Sequence, residues 1–223
     1  MMKETTIKTS WEINAERWIK VMDNQEIASR IFTNEAVVNL LKNSKANKIL
    51  DIGCGEGWLT RAITNMGKTG IGIDATAILL ENAKEKGKET YYHLSYKDLS
   101  EGKKLAEAPF EAIVFNFCIY QNEELIPLLK KLRESLTITG EIIIQTMHPF
   151  FLIQNSLPYT SQWIPDSWKG LSGNFSDGHA WYARTFEGWL DDFQKAGLIL
   201  NEIIEVTNQD LTPVSVIFKT QVK

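Results

Sequence analysis

Residues 48–74 read KILDIGCGEGWLTRAITNMGKTGIGID, and this stretch decides the fold. Ile49, Leu50 and Ile52 form a short apolar run that breaks into Gly53, Gly55 and Gly57. From Trp58 to Met66, Leu59, Ala62, Ile63 and Met66 recur at three- and four-residue spacing, the stripe of an amphipathic helix. A second apolar run, GIGID, ends on Asp74, 23 positions after Asp51. Strand, glycine turn, helix and strand make a βαβ unit, whose strands are parallel. Gly53 and Gly55 lack a Cβ, so a ligand can approach the backbone closely. The helix start behind them offers free N–H groups. A carboxylate ending the second strand can accept the hydroxyls of a ribose. A nucleotide is therefore the expected ligand. The dinucleotide fingerprint GxGxxG needs a third glycine where this chain has Trp58, which disfavours a pyrophosphate cradle.

The alternation continues outward. Residues 78–86 read as a helix, 91–95 as a strand, and 112–117 (AIVFNF) as a strand apolar enough to be central. A helix over 125–136 follows, with Pro127 tolerable in its first turn, then a strand over 141–146. Nearly all-apolar strands alternating with helices predict an α/β fold, a parallel sheet covered on both faces. Before this core, residues 10–45 read as helical. After it, 147–186 shows no clear period. A helix over 186–196 then precedes strands over 198–206 and 214–222, close enough to pair antiparallel.

The 223 residues suit one domain. Composition is that of a folded globular chain, 43% hydrophobic and 23% charged. Net charge is −4 with no dense basic run, which argues against nucleic acid as a partner. No apolar run nears membrane-spanning length, and the start MMKETTIKTS has no apolar core of a signal peptide. Cys54 and Cys118 form no CxxC, so no structural metal is expected and a reducing, cytoplasmic setting is.

The segment KILDIGCGEGWLTRAITNMGKTGIGIDAT resembles the first motif and following strand of class I S-adenosylmethionine-dependent methyltransferases. Residues 110–116 (FEAIVFN) resemble that family's fourth strand. Residues 136–140 (LTITG) are similar to its LKPGG turn, without the proline and one glycine. The resemblance implies a Rossmann-like, mostly parallel seven-stranded sheet closed by an antiparallel hairpin. It divides one domain into a helical N-terminal lid (1–45), a cofactor-binding core (46–147), an aromatic substrate cap (148–186), and a last helix and hairpin (187–223). The cofactor it implies is S-adenosyl-L-methionine, with S-adenosyl-L-homocysteine as product. Gly53 and Gly55 would lie against its methionine part, and Asp51 would orient the turn. Asp74 would hold the ribose, Ala75 with Ser95 or Tyr96 would touch the adenine, and Asn116 and Phe117 would flank the methionine. Arg30 is the candidate for the methionine carboxylate, because a guanidinium matches it in a bidentate fork.

Methyl transfer from a sulfonium mainly requires alignment and desolvation of the acceptor, so no fixed catalytic motif is expected. The (D/N)PPY pattern of amide methylation is absent after strand four, where the chain reads NFCI. More than a third of the aromatic residues crowd into 148–186, as an apolar pocket or as a satellite core under a long loop. Trp163, Trp181, Tyr182 and Arg184 are the substrate candidates there. Arg184 would anchor an acidic group or pair with Glu187 or Asp191. His148, directly after strand five, is the candidate general base, and its alternative is a turn residue before Pro149. His93 and His179 read as ordinary polar residues. The expected substrate is a small molecule, with oxygen slightly ahead of nitrogen or carbon as acceptor atom. Rival expectations are a cofactor-binding protein of this fold without transfer activity, a nicotinamide oxidoreductase, and methylation of RNA or protein.

Overall fold

The computed structural model describes residues 2–223, with side chains from residue 6 onward. Two helices lead in, α1 (Met2–Asp23) and α2 (Arg30–Asn43). The sequence predicted one helical stretch here, and a turn at 24–29 divides it. Gln25 sits at φ 55, the Glu26 N–H reaches back to the Val21 carbonyl and the Gln25 N–H to that of Met22. That is a Schellman stop. Its left-handed position is filled by glutamine instead of glycine, which is why the sequence does not announce it.

The core then runs β1 (Lys48–Ile52), α3 (Trp58–Asn65), β2 (Thr69–Asp74), α4 (Ala77–Lys86), β3 (Thr90–His93), α5 (Tyr96–Ser100), β4 (Phe110–Asn116), α6 (Leu125–Leu132) and β5 (Leu136–Met147). The irregular stretch carries a short helix α7 (Phe150–Gln154) and a two-stranded ribbon, β6 (Gln162–Ile164) with β7 (Trp181–Ala183). Helix α8 (Phe186–Ala196), β8 (Leu198–Thr207) and β9 (Pro213–Val222) close the chain.

The main sheet has the order β3-β2-β1-β4-β5-β9-β8. Its first five strands are parallel, and β9 runs antiparallel to both β5 and β8. The expected parallel sheet with a reversed closing hairpin is what forms. Strand β5 starts earlier than predicted. Phe110 pairs with Leu136 but Ala112 with Glu141, so the LTITG stretch bulges within the strand instead of only preceding it.

Alternation along the strands fills both faces. Leu50, Ile52, Ile113, Phe115, Ile142 and Ile144 pack on one side, and Ile49, Ala112, Val114 and Ile143 on the other. Strand order reverses between β1 and β4, and a crevice opens at the carboxyl ends of the strands at such a point. Among the described residues, no helix is long and apolar enough to cross a membrane.

Candidate functional site

The glycine turn is tied to β2 rather than left free. The Gly53 and Cys54 N–H groups both donate to the Ile73 carbonyl, at 2.8 and 2.9 Å. The Gly55 N–H donates to Asp74 Oδ2 at 2.9 Å, and the Thr76 N–H to Asp74 Oδ1 at 2.8 Å. Asp74 therefore fixes the turn while its half-buried carboxylate remains at the carboxyl edge of the sheet. Burial pushes its carboxyl above the ordinary range, against the pull of these N–H donors. Gly53 has φ 69, and a Cβ there would lie 2.5 Å from that of Cys118. Gly55 has φ 57, and a Cβ there would make only an ordinary contact, with Trp18 Nε1 at 3.9 Å. Gly53 thus permits close packing on the segment after β4, whereas Gly55 is less crowded.

Asp51 lies beneath the turn, 1% exposed, and accepts the Thr60 hydroxyl at 2.7 Å, which ties β1 to α3. Burial pushes its carboxyl up to about 7, with Glu56 and Asp74 adding to the rise. Ala75 offers its carbonyl to His93 Nε2 at 2.9 Å. Ser95 caps α5: its hydroxyl accepts the Asp98 N–H, and Asp98 Oδ2 accepts the Ser95 N–H and hydroxyl. This capping box engages the Ser95 polar groups locally, and the S-x-x-D spacing in the sequence was its signal. The Tyr96 hydroxyl turns inward and donates to the Cys118 carbonyl at 2.9 Å.

Three buried polar atoms around this crevice have no partner: Arg30 Nε, Glu56 Oε1 and Asn116 Oδ1. Buried polar groups are nearly always paired, so three such atoms at one edge point to a ligand. Arg30 lies over the rings of Trp58 and Trp18, at 5.1 and 5.9 Å. Glu56, 3% exposed, takes the Trp18 indole N–H on its other oxygen at 3.2 Å. Burial raises the Glu56 carboxyl and lowers the Arg30 guanidinium, and each opposes the other's shift by its charge. A cation and a carboxylate, each with a free buried atom, suit the two ends of an α-amino acid. Phe117 adopts φ 53, and its carbonyl accepts the Tyr120 hydroxyl at 2.8 Å.

Helix α1 and the cap close over the turn together. Trp168 donates its indole N–H to Ser10 Oγ at 2.9 Å, and Asn14 exchanges hydrogen bonds with the Ser176 backbone. The substrate candidates sit nearby in the cap. Trp163 and Tyr182 face each other across the ribbon, ring centroids 5.3 Å apart. Trp181, Tyr182, Arg184 and His148 line one small pocket with Met147 and Phe151. Arg184 is 3% exposed. Its partner is Asp192, at 2.6 Å, and neither Glu187 nor Asp191. Asp192 faces inward on α8, whereas Asp191 faces solvent and pairs with Lys195. Arg184 also donates to the Asn122 carbonyl at 3.1 Å and stacks on Tyr182 and Trp189. In His148, Nδ1 accepts the Phe150 N–H at 3.0 Å and Nε2 donates to Glu205 at 2.8 Å. Both of its nitrogens are thus engaged within the protein.

Residues 49–140, the glycine turn and the strands around it, match the family model of a methyltransferase domain. Over these residues the chain is similar to methyltransferase domains. A protein of Haemophilus influenzae is 29% identical over 143 residues, 60% of this chain and 55% of its own. The chain thus spans about half the length of that curated relative. Among solved structures, the 1,6-didemethyltoxoflavin-N1-methyltransferase of Burkholderia thailandensis superposes with a TM-score of 0.69 at 13% identity, covering 99% of this chain and 89% of its own. The magnesium protoporphyrin IX methyltransferase of Synechocystis gives 0.68 at 13%, covering 99% and 100%. At such identities these structures share the fold. Both contain S-adenosylhomocysteine.

The sequence reading did not single out Trp18 as a site residue. Trp18 is far from the glycine turn in sequence, and only the packing of α1 brings it to Glu56. Glu56 carried a local signal, an acid inside the turn itself.

Proposed function

We propose that the protein transfers a methyl group from S-adenosylmethionine to a small-molecule acceptor, with oxygen as the favoured acceptor atom. The observation that carries this reading is the set of unpartnered buried atoms on Arg30, Glu56 and Asn116 beside Asp74. The donor, when bound, supplies a methyl group on a sulfonium already activated for displacement. Asp74 would accept the ribose hydroxyls, and Arg30 and Glu56 would hold the carboxylate and ammonium of the methionine end. Gly55 would give the backbone clearance this requires. Trp18 is at once a donor to Glu56 and a wall of the lid, so lid closure and donor binding support one another. Helix α1 and the cap would exclude water, the main requirement for aligning and desolvating an acceptor.

Calorimetric titration with S-adenosylmethionine, S-adenosylhomocysteine and NADH tests this. Micromolar binding of the first two without NADH is the expected result. Binding of NADH alone would replace the reading with a nicotinamide one.

A further inference from the structure

His179 is fully buried in the cap, just before β7. Its Nδ1 lies 3.0 Å from the Ala180 carbonyl oxygen. A carbonyl only accepts, so Nδ1 carries the hydrogen and Nε2 presents a lone pair. That Nε2 has no partner.

The surroundings are aromatic. The imidazole meets Tyr120 edge-on at 4.8 Å and Trp168 at 6.0 Å. Trp168 is stacked on Phe175 at 4.6 Å and met edge-on by Trp11 at 4.7 Å, and Trp11 reaches Tyr120 at 6.1 Å. Helix α1, the segment after β4 and the cap each contribute to this box. Its other buried polar groups are satisfied: the Tyr120 hydroxyl on Phe117, the Trp168 indole on Ser10. Among the described residues that form it, His179 Nε2 is the one buried polar side-chain atom left unpaired. An unpaired acceptor in an apolar box weakens the fold unless something else engages it. Tyr120 links the box to the end of β4, beside the proposed donor site.

We propose that this box is the methyl-acceptor subsite, and that His179 Nε2 accepts the hydrogen bond of a planar, protic acceptor of phenol or azole type. This rests on the methyltransferase reading above and adds its substrate class. The rings supply flat apolar contact, and the single lone pair selects an O–H or N–H over an ether or a bare arene. A site built around one buried hydrogen-bonding atom rejects analogues that leave it unpaired. Burial lowers the imidazole's affinity for a proton against the nearby Asp166 carboxylate, which keeps the lone pair available. The titratable groups facing it are Tyr120 and Asp166. The role differs from that expected of His148, whose nitrogens are both engaged.

The chain has three histidines, so imidazole nitrogen NMR resolves each. The expected spectrum shows His179 as the neutral Nδ1–H form and His148 as the opposite, Nε2–H form. With S-adenosylhomocysteine bound, phenol should shift the His179 Nε2 resonance, and anisole should not. His179→Asn keeps a donor near Nδ1 and removes Nε2. It should weaken phenol binding roughly tenfold or more while leaving anisole and S-adenosylhomocysteine affinities unchanged. If the variant does not fold, the tautomer and the phenol response of the unaltered protein decide. An Nε2–H tautomer at His179, no response to phenol, or equal phenol affinity in the variant would overturn the proposal. Failure of S-adenosylhomocysteine to bind the unaltered protein would instead overturn the methyltransferase reading, and the tautomer can be read without it.

Discussion

Asp51 makes the folded protein sensitive to alkali in a predictable way. Its carboxyl is buried and accepts a single hydroxyl, from Thr60. Burial raises its pKa from the ordinary 3.8 to about 7. The folded chain therefore holds a proton that the unfolded chain releases. Stability from this group is complete below the ordinary aspartate value and is lost as pH rises toward about 7. At about 1.4 kcal/mol per pH unit, the whole loss is about 4 kcal/mol, of which about 3 falls between about pH 5 and pH 8. Asp51→Asn keeps an acceptor for Thr60 and cannot ionise. Urea unfolding of both proteins at the two pH values measures the effect. The variant should gain about 3 kcal/mol relative to the parent on going from the lower pH to the higher. Glu56 and Asp74 are raised in the same direction, but they are common to both proteins. A stability difference independent of pH would refute the reasoning. An acid retained at such cost points to a role in the turn beyond holding Thr60.

Arg184→Met should destabilise by about 3–5 kcal/mol in thermal or urea unfolding, because Asp192 is left buried and unpaired. The double variant Arg184→Met, Asp192→Leu should recover most of that loss, which a direct role of Arg184 in substrate binding would not predict for stability. Gly53→Ala puts a methyl 2.5 Å from Cys118 Cβ at φ 69, so calorimetry should show S-adenosylhomocysteine binding weakened roughly tenfold or more, together with a lower Tm. Asp74→Ala removes the acceptor of the Gly55 and Thr76 N–H groups and the proposed ribose contact. Charged hydrogen bonds contribute about 1.5–3 kcal/mol each, so cofactor affinity should fall at least about tenfold in the same assay.

Much of this architecture was legible because its signals are local. Apolar runs at 49–52 and 112–117, the glycines between strand and helix, and the acid closing β2 each state their conformation within a few residues. Helix α8 begins and ends as read, since Thr185 caps it and Gly197 stops it in the left-handed conformation. The lid and cap were less legible. Ribbon β6–β7 is three residues per strand, too short for a period, and it joins segments 17 residues apart. Gln25 ends α1 without a glycine to mark it. The pairing of Trp168 with Ser10, 158 residues distant, has no sequence signature. For the same reason His179 looked ordinary: its burial is made by α1, the loop after β4 and the cap together. The partner of Arg184 was misassigned by one residue, which on a helix is a turn of about 100° from solvent to core.

The most direct test is a crystal structure with S-adenosylhomocysteine bound. The expected result places its ribose hydroxyls on Asp74, its amino-acid end between Arg30 and Glu56, and its sulfur toward the aromatic box around His179. A ligand bound elsewhere, or Arg30 and Glu56 still without partners in the complex, would contradict it.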